Sequence, residues 1–407
     1  KVLCLEKLSE KGLGGTSCLS DGTFAIGSFI QKAQGDTFTT DECFVATMDY
    51  HSNSCNAHLV RKLIDKSAEV IDWEISQGVE FFDMAVGGMF NTFHQYKGEG
   101  LGCTKNAINQ LYSQALKYGA EFLFDMPLVD VEFEDGKVVS AIAKQKDGYI
   151  RINTPVVFLA TGGYASSPEI FEKYTDIIYD ELMTFGLDGR DGDGIKVGMD
   201  AGAALHHLAT VNYCNPSLKG ESEGSYVNNC GINQPTCVWV NQDGVRFVGE
   251  HSIFDWTLNA NAITLQQKFF SIIDSAAVER YKTEGPINGV PLKVFEGEPV
   301  ENIEELIAEK MASDPTSCFT ADTIEELAEQ LGLDGATLKQ TIDEYNDAVE
   351  SGTDPYGKPA KYLMPIAQPP FYGFSPKLAF FNTAGGLKVD EHARVLSKGS
   401  FEPIPGL

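Results

Sequence analysis

Four short clusters in this 407-residue chain carry residue types that suit one long, phosphate-containing ligand. KVLCLEK at 1–7 ends an apolar run (Val2, Leu3, Leu5) in Glu6 and Lys7. A carboxylate at a strand tip can accept both hydroxyl protons of a ribose. GGTSCLSDG at 14–22 offers Gly14, Gly15, Thr16 and Ser17, with Gly22 at its end. Glycines there let backbone amides and hydroxyls approach a pyrophosphate. Ala160, Thr161, Gly162 and Gly163 follow the apolar run PVVFL, where backbone can pass close to a cofactor. Gly192-Asp193-Gly194 opens a helix whose first amides can face an anion. Singly, each signal is weak, since a Gly-Gly turn is commonly a plain turn and a strand-end acid is commonly just solvated.

The elements that must hold these clusters are legible in outline. Residues 1–35 read as a strand and then a glycine-rich turn. Leu59, Leu63, Ile64, Ile71 and Ile75 recur at helical spacing over 57–77. A second helix covers 105–118 and stops at Gly119. Strand segments follow from 121, with hairpin turns at Asp135-Gly136 and Asp147-Gly148. They end in PVVFLA at 155–160, read as a buried strand. Further on, Thr323 and Glu326 predict a capping box for a helix over 322–332 closed by Gly332. Another helix covers 336–352. A proline-rich connector (Pro355, Pro359, Pro365, Pro369, Pro370) then leads back toward a sheet at 382–396.

Bulk composition excludes several classes. A net charge of -27 argues against nucleic acid, whose phosphates need clustered Lys and Arg. No run of 18 apolar residues exists, which argues against direct membrane insertion. Nine cysteines are scattered without a CxxC pair, so no metal or cluster site is expected. His206-His207 lacks ligand companions. The compartment stays open between cytoplasm and a bacterial cell envelope.

The order of the motifs is more specific than any one of them. LEK at 5–7, GGTSCLSDG at 14–22, VVFLATGGYASSPE at 156–169 and GDGIKVGMDAGA at 192–203 come first. VNQDGVRFVGE at 240–250, the segment 321–346, PPFYGF at 369–374 and NTAGGLKVD at 382–390 follow. In this order the chain resembles the flavoprotein subunits of fumarate reductases and succinate dehydrogenases, in particular the soluble flavocytochrome-like bacterial reductases of anaerobic respiration. The resemblance implies an α/β fold: a Rossmann-like FAD-binding domain at 1–208 plus 382–407, with an inserted α+β capping domain at 209–381. It implies FAD with Glu6 on the ribose, Thr16 and Ser17 at the pyrophosphate or flavin edge, and Val129 on the adenine side. Ala160, Thr161 and Gly162 would line the dinucleotide, and Asp193 would stand near the flavin end. GGTSCLSDG has no histidine to tether the cofactor, so FAD is expected to be noncovalent. The family places a GxGxxG loop before LEK and a further FAD-contacting stretch after PIPGL. The 407 residues are therefore expected to be the middle of a longer enzyme, and to bind FAD poorly as an isolated piece.

At the reacting end the resemblance breaks down. Fumarate-reducing members use an Arg as acid, a Glu and an Arg that feed it, and two His and a Thr that hold carboxylates. Here the acid's place holds Phe254, the feeding places hold Cys230 and Asn233, and the first His falls near Cys214–Asn215. The second His becomes Asn382, and Thr383 alone is kept. A dicarboxylate would meet too few cations, and buried unpaired charge is costly. The expected reaction is hydride transfer between reduced FAD and an activated C=C bond of an unsaturated acid or enone, not fumarate. Tyr213, Tyr226, His251 and His94 are the candidate proton donors. Two rivals remain: a 3-ketosteroid-type dehydrogenase with Tyr213 as acid, and a non-catalytic flavin-binding or electron-transfer protein. Electrons would come from a haem or FMN domain or subunit outside this chain.

Overall fold

The computed structural model describes residues 1–87, 90–98, 102–186, 189–222, 224–288 and 296–407. They fall into two compact units: Lys1–Ser167 with Gly186–Leu208 and Gly385–Leu407, and Pro168–Phe185 with Ala209–Ala384.

In the first unit the strand Leu3–Leu5 pairs in parallel with Glu121–Leu123. The Glu6 N–H extends that ladder by donating to Leu123 O. Helix Ala57–Ser76 buries Ile64, Ser67, Ile71 and Glu74, the i, i+3, i+7, i+10 spacing of one face. The Asn56 side chain caps it by accepting from the His58 and Leu59 amides. Its Ile71 joins Ala25, Ile30, Val79, Phe81, Tyr96 and Ala107 in one apolar cluster. Helix Thr104–Lys117 ends before Gly119, which takes a left-handed φ of 83°. Strands Leu128–Glu134, Lys137–Gln145 and Gly148–Asn153 form an antiparallel meander. Asp135 and Gly136 turn it with φ of 50° and 73°, the pair of positive values a tight hairpin requires.

One expected strand is absent. Residues 155–160 form no strand, and Val156 and Phe158 are exposed rather than buried. A strand satisfies its amides only beside a neighbour. Among the described residues no strand pairs with it; the Val157 N–H donates to Gly406 O and the Val156 N–H to Thr154 Oγ1 instead.

The second unit is built on an antiparallel sheet in the order Val238–Asn241, Phe269–Asp274, Phe371–Phe374, Cys318–Ala321. Side-chain alternation gives each face its own core. Trp239, Phe269, Ile273 and Phe374 pack on one side. Val238, Val240, Phe270 and Ile272 pack on the other, against Ile324, Leu327, Leu331, Leu338 and Ile342 of two helices. Those helices are Ile324–Leu331 and Gly335–Ser351, each closed by a left-handed glycine, Gly332 and Gly352. Thr323 caps the first by accepting from the Glu326 amide. The reciprocal Glu326 bond that would complete a capping box is not formed among the described residues.

A second, mixed sheet pairs Val211–Tyr213 antiparallel with Leu378–Thr383, which pairs in parallel with Leu182–Thr184. That last pairing places 168–185, and 382–384 with them, in the second unit, whereas the sequence boundaries put both in the first domain.

Candidate active site

The first unit brings three of the four clusters together. Lys7 Nζ donates to Asp193 at 2.7 Å, to Asp191 at 2.5 Å and to Gly189 O at 2.9 Å. Burial alone would lower the Lys7 pKa, but the two carboxylates outweigh it and hold the ammonium above its ordinary value. Asp193 opens helix Asp193–Asp200, and the Gly194 N–H donates to Thr161 Oγ1 at 3.2 Å. Gly192 N–H donates to Gly163 O at 3.1 Å. LEK, ATGG and GDG are therefore neighbours. Glycine at 194 is required, because a Cβ there would stand 2.3 Å from Thr161 Oγ1.

Glu6 Oε1 accepts from the Leu8 amide at 2.8 Å, while Oε2 has no partner among the described residues. Gly14 holds a φ of 91°, and a Cβ there would meet Cys18 Sγ at 2.6 Å and Ile108 Cδ1 at 2.7 Å. Gly15 and Gly162 have positive φ with open space around them. Thr16 and Ser17 lie in the 3₁₀ turn Gly15–Leu19 that Gly14 begins. Ala160 is exposed beside Thr161. An unpaired carboxylate oxygen and open, left-handed glycines fit a ribose and a diphosphate.

Val129 is 40% exposed on strand Leu128–Glu134. The next inward residue there, Val131, packs with Val197 of the helix that carries Asp193. Gly22 has a different reason to be glycine. It sits in strand Gly22–Phe24, where a Cβ would stand 2.4 Å from His94 O, so strand pairing demands it.

His94 does not behave as a proton donor. It is 1% exposed, with Nε2 2.7 Å from Ser28 Oγ and Nδ1 3.2 Å from Thr92 O. The carbonyl fixes the proton on Nδ1, so Nε2 accepts from the serine hydroxyl. Burial lowers its pKa, against the pull of the Thr92 bond, and keeps the ring neutral. Both nitrogens serve the fold.

The other candidates belong to the second unit. His251 and Phe254 lie on the 3₁₀ turn Glu250–Phe254, which leads into helix Trp256–Thr264. Phe254 is 50% exposed, and its ring centroid lies 5.6 Å from that of Tyr362. His251 Nδ1 is buried without a hydrogen-bond partner among the described residues. Tyr213, Asn382 and Thr383 share one strand pair, where Asn212 faces Asn382 and Val211 faces Thr383, with a bulge that sets Tyr213 opposite Phe380. Trp256 on the helix packs its ring 5.8 Å from Phe381, which joins the helix to that strand pair. A groove of about 970 Å³ is lined by Glu304, Asp322, Glu326 and Glu329 among others, and by none of these residues.

Arg246, the cation closest in sequence to the Phe254 turn, and Lys358 are both committed inward. Arg246 donates from Nε and Nη2 to Glu250 at 2.8 and 2.7 Å, and from Nη1 to Asp354. Lys358 Nζ lies 2.9 Å from Glu250 Oε2. Tyr345 covers both cations, 5.0 Å from Arg246 and 4.8 Å from Lys358. All four charged side chains are at most 5% exposed.

Asp191, Asn259 and Tyr362 escape the sequence reading. Asp191 had a signal, an acid two residues before Asp193 in GRDGDG. Asn259 sits mid-helix and Tyr362 in a proline-rich connector, where nothing local marks them. Among the described residues no group of three His, Cys, Asp or Glu could hold a metal, and no helix is long and apolar enough to cross a membrane.

A family described as FAD binding domain matches residues 1–407. The vinyl phenol reductase of Lactiplantibacillus plantarum is 31% identical over 417 residues, covering 100% of this chain and 83% of that protein. The NADH:acrylate oxidoreductase of Vibrio harveyi is 29% identical over 360 residues, covering 86% of this chain and 33% of that protein. The open conformation of a flavocytochrome c3 fumarate reductase shares the fold, with a TM-score of 0.69 at 24% identity, covering 100% of this chain and 71% of that one. The α/β fold expected from the motifs, Rossmann-like FAD-binding domain and inserted α+β part, is thus the fold found. Matched by the family model from end to end, the chain belongs to the FAD binding domain family, among the fumarate reductase-like flavoproteins.

Proposed function

We propose that this chain is the catalytic flavoprotein part of a reductase that saturates an activated C=C bond of an aromatic or enone-like substrate, and that fumarate is not its substrate. The observation that carries the substrate class is the Phe254 turn. It presents an apolar ring, while Arg246 and Lys358 are tied to Glu250 and Asp354 beneath it. Neither cation is left to bind a second carboxylate. The similarity to a vinyl phenol reductase supports the same class.

Bound FAD, when reduced, would supply the hydride. Around it Glu6 Oε2 would accept from the ribose, and the amides and hydroxyls of Gly14–Ser17 would face the diphosphate. Val129 would border the adenine, Ala160–Gly162 would pass along the chain of the cofactor, and Lys7 would hold Asp193 in place near the flavin. With no histidine in 14–22, binding would be noncovalent. Phe254 would pack on the substrate ring or enone, and Asn382 and Thr383 would hydrogen-bond its polar end. Tyr213 or His251 would deliver the proton. A haem- or FMN-bearing domain or subunit beyond these residues would supply electrons.

The test uses the full-length protein loaded with FAD and photoreduced without oxygen. A vinyl phenol, a cinnamate-like acid, an enone and fumarate are added in turn while flavin absorbance is followed. Reoxidation by one of the first three, with fumarate much slower, is expected. Equal rates with fumarate overturn the substrate class, and no reoxidation by any acceptor overturns the enzyme reading.

A further inference from the structure

Three asparagines of the second unit leave polar atoms unpaired in its interior. Asn215, Asn233 and Asn259 are 2%, 2% and 0% exposed. Asn259 Nδ2 donates to Asn215 Oδ1 at 3.1 Å, and Asn233 Nδ2 donates at 3.2 Å to the carbonyl of Pro216, the next residue along from Asn215. The three are thus contiguous. Among the described residues, Asn215 Nδ2, Asn233 Oδ1 and Asn259 Oδ1 have no partner. Exchanging amide oxygen and nitrogen does not help. Exchanging both members of the Asn215–Asn259 pair only moves the orphans, and turning Asn233 sets two acceptors together. Ser252 Oγ and His251 Nδ1, in the turn before the Asn259 helix, also lack a partner among the described residues.

Each buried, unmet polar atom costs about 1–3 kcal/mol, so three on side chains linked through Asn215 and Pro216 are too many to leave dry. The set mixes a donor with acceptors, which suits a small molecule that is both. Water meets that need, and buried waters commonly bridge such groups with about three hydrogen bonds each.

We propose that Asn215, Asn233 and Asn259 hold a chain of ordered waters, continued by Ser252 and His251, that carries protons to the acid serving the substrate carbon. The role rests on the reductase reading; the waters do not. The amides are positioning residues, since a neutral carboxamide orients water without supplying a proton. With Tyr213 as the acid, its proton goes to carbon, the adjacent water replaces it, each neighbour follows, and His251, a partly exposed residue, takes one from solvent. No electrons move in this relay.

A crystal structure of the FAD-loaded, full-length protein should show ordered waters within hydrogen-bond reach of all three amide atoms. Direct protein pairing of those atoms, or a dry site, overturns the proposal. In Asn259→Leu and Asn233→Leu, flavin reoxidation should slow about tenfold or more, with substrate affinity kept and a larger solvent deuterium effect. Asn259→Ser, small enough to keep a water, should recover part of the rate, and it also serves if the leucine variants fail to fold. Waters present with rate and isotope effect unchanged overturn the relay. If no acceptor reoxidises the wild-type flavin, the proton role falls with the reductase reading while the crystallographic result stands.

Discussion

At the scale of single residues, His94 and Lys7 show how partners decide a role. His94 is a hydrogen-bonded beam between Thr92 O and the Ser28 hydroxyl. In His94→Phe the serine loses its acceptor inside the core, and stability should fall by about 1–3 kcal/mol in urea unfolding. The pH–rate profile of the enzyme should keep its shape, since no catalytic proton passes through this ring. Lys7 stands between two carboxylates that would repel each other without it. Asp191 is 42% exposed, so solvent screening limits the effect of Lys7→Met on thermal stability to about 1 kcal/mol or less. The sign with pH follows from a raised lysine pKa. The stabilisation is complete below the unfolded value and is lost as pH climbs through the folded one, on the alkaline side. FAD affinity, measured by fluorescence titration of the full-length protein, should weaken more than stability, because Asp193 and its helix terminus lose their anchor.

At the scale of elements, two contacts carry the geometry. The first is the close seat of helix Asp193–Asp200 on Thr161. Gly194→Ala would drive a methyl into the threonine hydroxyl, and the helix terminus must move away from the ATGG turn. FAD binding to the full-length protein should weaken by about tenfold, the equivalent of 1.4 kcal/mol. The second is the charge cluster that ties the Phe254 turn to the connector at 354–358. Burial would raise the Glu250 and Asp354 pKa values, but Lys358 and Arg246 outweigh it and both carboxyls sit below the usual range. Their contribution is therefore present above the unfolded carboxylate pKa of about 4, and is lost as pH falls through the lower folded values. Glu250→Gln leaves Arg246 and Lys358 under-compensated in the interior. A loss of about 3–5 kcal/mol is expected in denaturant unfolding, the size seen when one partner of a buried pair is removed. A loss under 1 kcal/mol would mean that the cluster is hydrated.

At the scale of the whole molecule, charge sets a condition on everything else. A net charge of -27 repels itself, and salt within the Debye regime relieves that repulsion. The melting temperature should rise between roughly 10 mM and 150 mM NaCl, as differential scanning fluorimetry would show. A flat or falling response would mean that the acidic side chains are locally paired.

The amino-acid sequence by itself determined the family and the fold class, because those depend on local pattern and on order along the chain, and it marked LEK, ATGG and GDG, which the fold brings together. It also placed the helices over 57–76 and 324–331, where apolar spacing and caps are local properties. Tertiary structure alone decided the rest. PVVFLA reads as a strand from composition, but a strand exists only where a neighbour takes its amides. His94 reads as chemistry from residue type, yet Ser28, 66 positions away, takes its free nitrogen. Gly22 reads as a phosphate turn, yet it is glycine because another strand passes over it. Arg246 and Lys358 are ordinary cations in the sequence, and only folding buries them with Glu250 and Asp354. Pairwise burial, unlike periodicity, leaves no mark on one segment read alone.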